Sequence, residues 1–481
     1  MTTRVSLVPP RSIRRPVRLA FVLAGVLLAG AAHAQGVPAA PNTPNSPTAP
    51  SSTRWEGPLA GMLPAFFTDM AYNAPGDGDH TLHFVRGLQT TIAGLELTQA
   101  LAAQATAFPI VMPAGTFGFE GARATGTGVA ALSARSPIVA ERGTTLGRGR
   151  FAGGVSFHRS KADAISGLDL DSGELVLYAP HNNCCGTGAN AAQAGDGSPA
   201  FERDVLQETL GIELRQSITA FSMTYGLTSR LDVSAVVPLV RVDLDTRITA
   251  RIIRIGTTAP PTPTVHSFDG VDLANRTISR RGTATGIGDV RVRGKFNLRR
   301  TSSSAFALSV DAALPTGDAD NLLGTGGTRV RAGLVASGDR GAVSPFFNAG
   351  YTRSQGSSSA QASTWQGALD PAVSARVSRT LSDEVDYAGG ASIDAAPCMT
   401  FDAEVLGRTL LKGSRFSVGD GIGADGLVAD GRGMVHRVLG MAGVRMRAGT
   451  RMLFTAGVIL PIADKGLRSK ARPLVSLDYA F

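Results

Sequence analysis

The sequence predicts an all-β fold: a transmembrane antiparallel up-and-down β-barrel of about twelve strands, with a partly irregular N-terminal segment. Three observations carry this. From Thr144 onward apolar residues recur at a period of two. The chain opens with basic residues, an apolar run and small residues, as exported chains do. It closes on Phe481, with Val475, Leu477 and Tyr479 alternating before it and Ser476, Asp478 and Ala480 between them. One face of that last stretch suits lipid and the other water. Period-two alternation also serves a soluble double sheet, so that fold stays open at this point.

The N-terminus sets the compartment. Arg4, Arg11, Arg14, Arg15 and Arg18 surround the approach to an apolar run from Leu19 to Ala32, and Ala32-His33-Ala34 supplies small residues for cleavage. Residues 1–34 therefore read as a signal peptide. No later stretch approaches the 18 or so uninterrupted apolar residues of a membrane helix. The formal net charge of +9 falls to +4 once the five signal arginines are removed, which is no nucleic-acid footprint. The implied location is the outer membrane of a Gram-negative bacterium.

Residues 35–53 carry Pro38, Pro41, Pro44, Pro47 and Pro50 among small polar residues, the composition of an extended linker. Residues 54–143 are irregular. Thr91 to Thr106, rich in Ala, Leu and Gln, predicts a short helix, and Pro109 and Pro113 keep the helix from continuing. This region is expected at the periplasmic mouth or folded into the lumen as a plug.

Residues 144–481 are the expected barrel. In Val290 to Leu298 the faces separate cleanly: Val290, Val292, Gly294, Phe296 and Leu298 against Arg291, Arg293, Lys295 and Asn297. A soluble core could not accept the basic face. The same division sets Phe401, Ala403 and Val405 against Asp402, Glu404 and Arg408, and Val385, Tyr387, Ala391 and Ile393 against Asp386, Ser392 and Asp394. Short connections around Thr228-Ser229, Arg300 to Ser303, Gly338-Asp339, Pro397 and Gly449 read as periplasmic turns. Longer polar stretches near 160–204, 247–286, 317–327, 354–384, 412–432 and 463–469 read as outer loops. Six hairpins joined by five turns make twelve strands and leave both termini in the periplasm. A further strand pair involving Gly367 to Thr380 would make fourteen. Leu231, Val233, Ala235 and Val237 are in one register and Val240, Val242 and Leu244 in the other, so a bulge is expected at Pro238.

If apolar positions face lipid, their neighbours line the lumen. The candidates are Arg148, Arg150, Arg291, Arg293, Lys295, Arg329, Arg331, Asp386, Asp394, Asp402, Glu404, Arg408, Arg437, Arg445 and Arg447, with His158, Glu213, Arg215, Arg299 and Asp311 beside them. Such a wall is either a cross-strand ion-pair lattice that keeps a small barrel rigid, or an electrostatically biased channel for anionic or amphiphilic solutes. The lattice is the heavier reading, because side chains can largely fill a barrel of this size.

Catalytic motifs are missing from the sequence: there is no Gly-x-Ser-x-Gly elbow, His-Glu-x-x-His, Walker loop or CxxC. No catalytic residue, metal or cofactor is assigned. Gly324-Thr325-Gly326-Gly327 lacks the Lys-Ser/Thr of a phosphate cradle and reads as a turn. Cys184 and Cys185 are adjacent and Cys398 stands alone; whether the neighbours form a vicinal disulfide is left open.

Ala313-Leu314-Pro315-Thr316-Gly317-Asp318, followed by Asn321-Leu322-Leu323-Gly324-Thr325-Gly326, resembles the strand-end and loop motif of the outer-membrane transporters of the MetA-pathway of phenol degradation family. Gly286-Ile287-Gly288-Asp289-Val290 and Pro345-Phe346-Phe347-Asn348-Ala349-Gly350-Tyr351 resemble it too, and the likeness runs from about Tyr225 to Phe481. The resemblance implies uptake of small, often aromatic or hydrophobic compounds and brings no catalytic residues. The terminal Leu477, Tyr479 and Phe481 resemble the signature that outer-membrane proteins present to the barrel assembly machinery. The expected partners are outer-membrane lipid, that machinery and a small-molecule solute, with no nucleic acid and the oligomeric state open. The expected function is passive or facilitated transport of small molecules. The alternatives are a non-transporting surface barrel that binds through its long loops and, third, an outer-membrane hydrolase.

Overall fold

The computed structural model describes residues 52–68, 84, 88–106, 119–120, 131–180, 204–254, 268, 273–356, 381–419 and 426–481. The signal peptide, most of the Pro-rich linker, Cys184, Cys185 and Gly367 to Thr380 lie outside them.

Twelve antiparallel strands close into one barrel. In chain order they are Phe151–Ile165, Val205–Gly226, Leu231–Ile253, a fourth in two pieces (Asn275–Ile287 and Arg291–Arg300), Ser304–Ala313, Gly327–Gly338, Val343–Gly356, Glu384–Ala396, Met399–Val418, Leu427–Ala448, Met452–Asp464 and Arg472–Ala480. Each pairs with its sequence neighbour, and the twelfth pairs with the first, from Leu474 opposite His158 to Ala480 opposite Ala152. The five short turns fall where the sequence places them, and the six longer connections lie at the expected stretches. The strands reach further than expected: Asn275–Ile287 and the ends of Leu231–Ile253, Met399–Val418 and Leu427–Ala448 occupy parts of 247–286 and 412–432 read as loop. Phe481 seals the seam: its N–H donates to the carbonyl of Phe151 at 2.8 Å, and its ring packs 4.7 Å from that of Tyr479 and 5.3 Å from that of Phe151.

Alternation sorts the wall. Val310 is 55% exposed while the next residue, Asp311, is 8% exposed. Outward at the short-turn end stand Phe221, Met223, Tyr225, Val233, Val237, Phe296, Phe306, Leu308, Leu334, Phe347, Phe401, Phe454, Val475, Leu477 and Tyr479, all exposed. They form one apolar belt around the barrel, as a membrane-spanning wall requires.

The belt stops partway up. Leu231–Ile253 is 23 residues long, about twice the 9–11 that cross a bilayer. Above Leu239 the outward face turns polar: Arg241, Asp243, Asp245 and Arg247 continue it, while Val240, Val242, Leu244 and Ile248 turn inward and are buried. Pairing with the preceding strand runs unbroken through Ala220 opposite Pro238. The expected bulge at Pro238 is therefore absent. The strand does not shift phase; its surroundings change, from lipid outside and polar lumen inside to water outside and an apolar core inside.

The same inversion moves Glu213 and Arg215, expected in the lumen, to the outer surface, where Lys161, Glu213, Arg215 and Asp245 form a chain of ion pairs. Arg148 and Arg150 lie in the turn before the first strand, which begins at Phe151 rather than near Thr144, so neither is on the wall.

Inside the long-loop half sits the helix Leu88–Thr106, broader than the expected Thr91 to Thr106. From Ile92 to Ala105 it is buried almost throughout, with Leu97 and Leu101 in a core that includes Ile165, Leu210, Val242, Leu244, Ile248, Phe416 and Leu427. Gln104 ties it to the wall by accepting the N–H of Leu467 at 2.7 Å. Strand Ser52–Arg54 lies parallel against Asn275–Ile287, opposite residues 279–281.

Leu308 is the central outward residue of its ten-residue strand. Leu308→Arg is expected to destabilise the barrel in lipid vesicles by about 2–4 kcal/mol. Arg241→Leu, above the belt, should change it by less than about 0.5 kcal/mol. Denaturant titration of vesicle-folded protein reads both, and equal effects would place the belt wrongly.

Candidate functional site: the lumen

An extended segment, residues 133–146, runs through the short-turn half of the lumen. It has no strand partner, so its buried backbone groups must be satisfied by other means. Inward-facing wall side chains supply them. The Glu404 carboxylate accepts the N–H groups of Ile138, Val139 (3.0 Å) and Ala140 (2.8 Å). Asn348 clasps Glu141 twice, accepting its N–H at 2.7 Å and donating to its carbonyl at 3.0 Å. Ser337 accepts from Gly143 at 3.1 Å, Asn297 donates to Gly143 at 2.6 Å, and Asp232 accepts from Leu146 at 2.8 Å. Arg445 donates to the carbonyl of Pro137 at 2.9 Å, and Lys295 to that of Arg142 at 3.3 Å.

Ion pairs join this segment to the wall and link the wall strands. Arg142 pairs with Asp339 at 2.6 Å and Arg135 with Asp394. Arg293 bridges Glu141 and Asp311. Arg331 reaches Asp311 at 3.4 Å and Asp386 at 2.6 Å, the latter across the intervening strand. It can do so because Gly350 lies beneath it; a Cβ there would sit 2.5 Å from the guanidinium carbon. Glu384 takes both Arg329 and Arg408.

Of the expected lumen residues, Arg291, Arg293, Lys295, Arg329, Arg331, Asp386, Asp394, Asp402, Glu404, Arg408, Arg437, Arg445 and Arg447 share the inward parity of their strands. Arg447 is at the short-turn rim, where it donates to the carbonyl of Pro397 at 2.9 Å. His158 and Asp311 are also inward and buried. Sequence reasoning set Asn297 on the polar face of its strand but missed Glu141, Asp232, Asn348 and Glu384. Parity alone marked Glu384, two residues before Asp386, and Asn297, two after Lys295. Nothing marked Glu141, which lies in the segment with no periodicity.

Two cavities lie along the wall between the fourth and the tenth strand. One, of about 60 Å³, borders the helix at Gln99, Ala100, Ala103 and Gln104. The other, of about 180 Å³, rests on Val139, Ala140 and Glu141. Both touch Arg329, Glu384, Arg408 and Arg437, so they adjoin at that cluster. Among the described residues no group of three or more His, Cys, Asp or Glu could hold a metal ion.

The glycine-rich loop has a structural role. Asp289 accepts the N–H of Thr325 at 2.8 Å, its hydroxyl at 2.7 Å and the N–H of Gly317 at 3.2 Å. Thr316 donates to the carbonyl of Gly288 at 2.8 Å and accepts the N–H of Val290 at 2.9 Å. A Cβ on Gly317 would stand 2.7 Å from Gly324. These residues lock the break in the fourth strand to the loop between the fifth and sixth, and the loop is a turn, as the sequence indicates.

Those residues also fall inside a family match. Residues 195–389 match the family model described as "Putative MetA-pathway of phenol degradation". The resemblance read from the sequence is borne out. The match contains all the quoted motifs of the MetA-pathway family, begins before Tyr225 and ends short of Phe481. No curated protein sequence matches the chain. Among solved structures, an outer membrane channel from Pseudomonas putida F1 is 12% identical, with 70% of this chain and 97% of that one covered and a TM-score of 0.41. The CymD monoaromatic hydrocarbon channel is 12% identical over 77% and 98%, with a TM-score of 0.34. A FadL homologue of Pseudomonas aeruginosa is 11% identical over 69% and 90%, with a TM-score of 0.29. With TM-scores below 0.5, none of these likenesses carries the functional reading.

Glu404→Ala strands three buried N–H groups, and it is expected to cost about 1–3 kcal/mol. Amide hydrogen exchange at Ile138 to Ala140 should accelerate sharply in that variant. Unchanged exchange there would mean that the segment is held by something other than this carboxylate.

Proposed function

We propose that this chain is an outer-membrane barrel for passive or facilitated transport of small molecules, of the aromatic or hydrophobic kind that the family's phenol-degradation description suggests. The observation that carries the reading is a closed wall with an outward apolar belt, enclosing two adjoining cavities on one side of an irregular inner segment. Open space inside a membrane wall is of no use to a purely structural barrel. It is what a solute path needs. The long-loop end faces outward and the short-turn end the periplasm, following the usual asymmetry of such barrels. No catalytic role is assigned, since the polar lumen groups are engaged mainly with one another and with backbone.

Residues 54–143 act in this reading as a plug that narrows the path. The Glu404, Asn348 and Asn297 contacts support it, because they hold main chain across the lumen rather than against its rim.

Removing residues 54–142 from the folded barrel should raise ion conductance in planar bilayers by at least tenfold. Unchanged conductance would remove the plug from the account. Absence of any solute flux into vesicles, for the full chain and the deletion alike, would remove transport.

A further inference from the structure

The larger cavity contains a charge that its surroundings do not match. Six arginines reach it, and the carboxylates that face them are Glu141, Glu384 and Asp386, with Asp311 beside them. Five of the six have a partner: Arg293, Arg329, Arg331 and Arg408 are in ion pairs, and Arg437 donates to the carbonyl of Leu467 at 2.6 Å. Arg291 is different. It faces inward on the fourth strand, no described group lies within ion-pair or hydrogen-bond reach of its guanidinium, and its Nε is sealed from solvent without an acceptor.

Arg291 is half-buried, and Asp289, Asp311 and Glu384 act on it only from beyond ion-pair and hydrogen-bond reach. A guanidinium withdrawn from water without a direct partner is costly, and an ion-pair lattice has no need of one. The four carboxylates around the cavity are already shared among other arginines, Glu384 by two of them. The remaining wall is mostly apolar, with Val139, Ala140, Ala388, Leu406 and Leu439 beside Tyr387 and the amide of Asn348. A guanidinium on one side and aliphatic side chains on the other fit a single kind of solute: a carboxylate on a small apolar body. The planar fork of an arginine matches the two oxygens of such a group. The volume of about 180 Å³ admits a small solute rather than a lone water.

We infer that Arg291 is the anchor of a solute-binding site for small amphiphilic carboxylates in the lumen. This rests on the transport reading for its purpose, though not for its chemistry. Bound carboxylate supplies the direct, hydrogen-bonded partner that Arg291 lacks, and the apolar body displaces water from Leu406 and Leu439.

The test uses the full chain folded in detergent and in vesicles, with benzoate as probe, benzamide as its neutral counterpart and formate as a carboxylate without an apolar body. Benzoate should bind saturably by calorimetry, and benzamide and formate at least tenfold more weakly. Arg291→Gln should abolish the preference for benzoate over benzamide, and Arg291→Lys should retain part of it. Because Arg291→Gln removes a half-buried charge that makes no ion pair or hydrogen bond, its thermal stability should equal or exceed that of the parent. Equal binding of benzoate and benzamide, parent-like benzoate binding by Arg291→Gln, or lower stability of that variant would each overturn the site. Vesicle flux separates the two readings. Flux of neutral solutes without benzoate binding leaves transport standing and removes the site, and benzoate binding without flux does the reverse.

Discussion

Main chain inside a membrane barrel must find hydrogen-bond partners, and this requirement organises the lumen. Residues 133–146 have neither helix nor sheet to satisfy them. The wall meets the need with inward side chains, led by the single carboxylate of Glu404, which takes three consecutive N–H groups. Once that segment is fixed, Glu141 is presented to Arg293, Arg293 to Asp311, and Asp311 to Arg331. The ion-pair lattice across the strands is thus continuous with the inner segment. The cavity that remains is the space this arrangement does not fill.

Height along the barrel decides what each alternating face means. Near the short turns, apolar residues such as Phe221 and Val233 point to lipid and polar ones inward. Beyond Leu239 the wall leaves the belt, and the same parity that carried Asp232 and Ser234 inward now carries Val240, Val242 and Leu244 onto the buried helix. A barrel can therefore be a membrane protein in one half and have a soluble protein's core in the other, with no irregularity in the strand.

The wall was largely legible in the sequence, because lipid forces a period of two, and five short turns such as Thr228-Ser229 count the strands. The seam was legible for the same reason, from Val475 to Phe481. What misled was the assumption that apolar always means outward. It placed a bulge at Pro238 and put Glu213 and Arg215 in the lumen, though they lie on the outer surface. The clamp residues were harder still. Asn348 and Ser337 have ordinary inward parity, and their partners lie some two hundred positions away in a segment whose contacts no local pattern encodes.

The inversion along Leu231–Ile253 is the claim on which the membrane position, the outward charges and the inner core all depend. It is tested by a nitroxide scan of residues 233–247 in vesicles, on a background with Cys184, Cys185 and Cys398 replaced by Ser, reading collision rates with lipid-soluble oxygen and a water-soluble nickel complex. Oxygen contact should peak at Val233, Ala235, Val237 and Leu239, and nickel contact should take over at Arg241, Asp243 and Asp245. Oxygen contact that instead moves to Val240, Val242 and Leu244 would contradict the account.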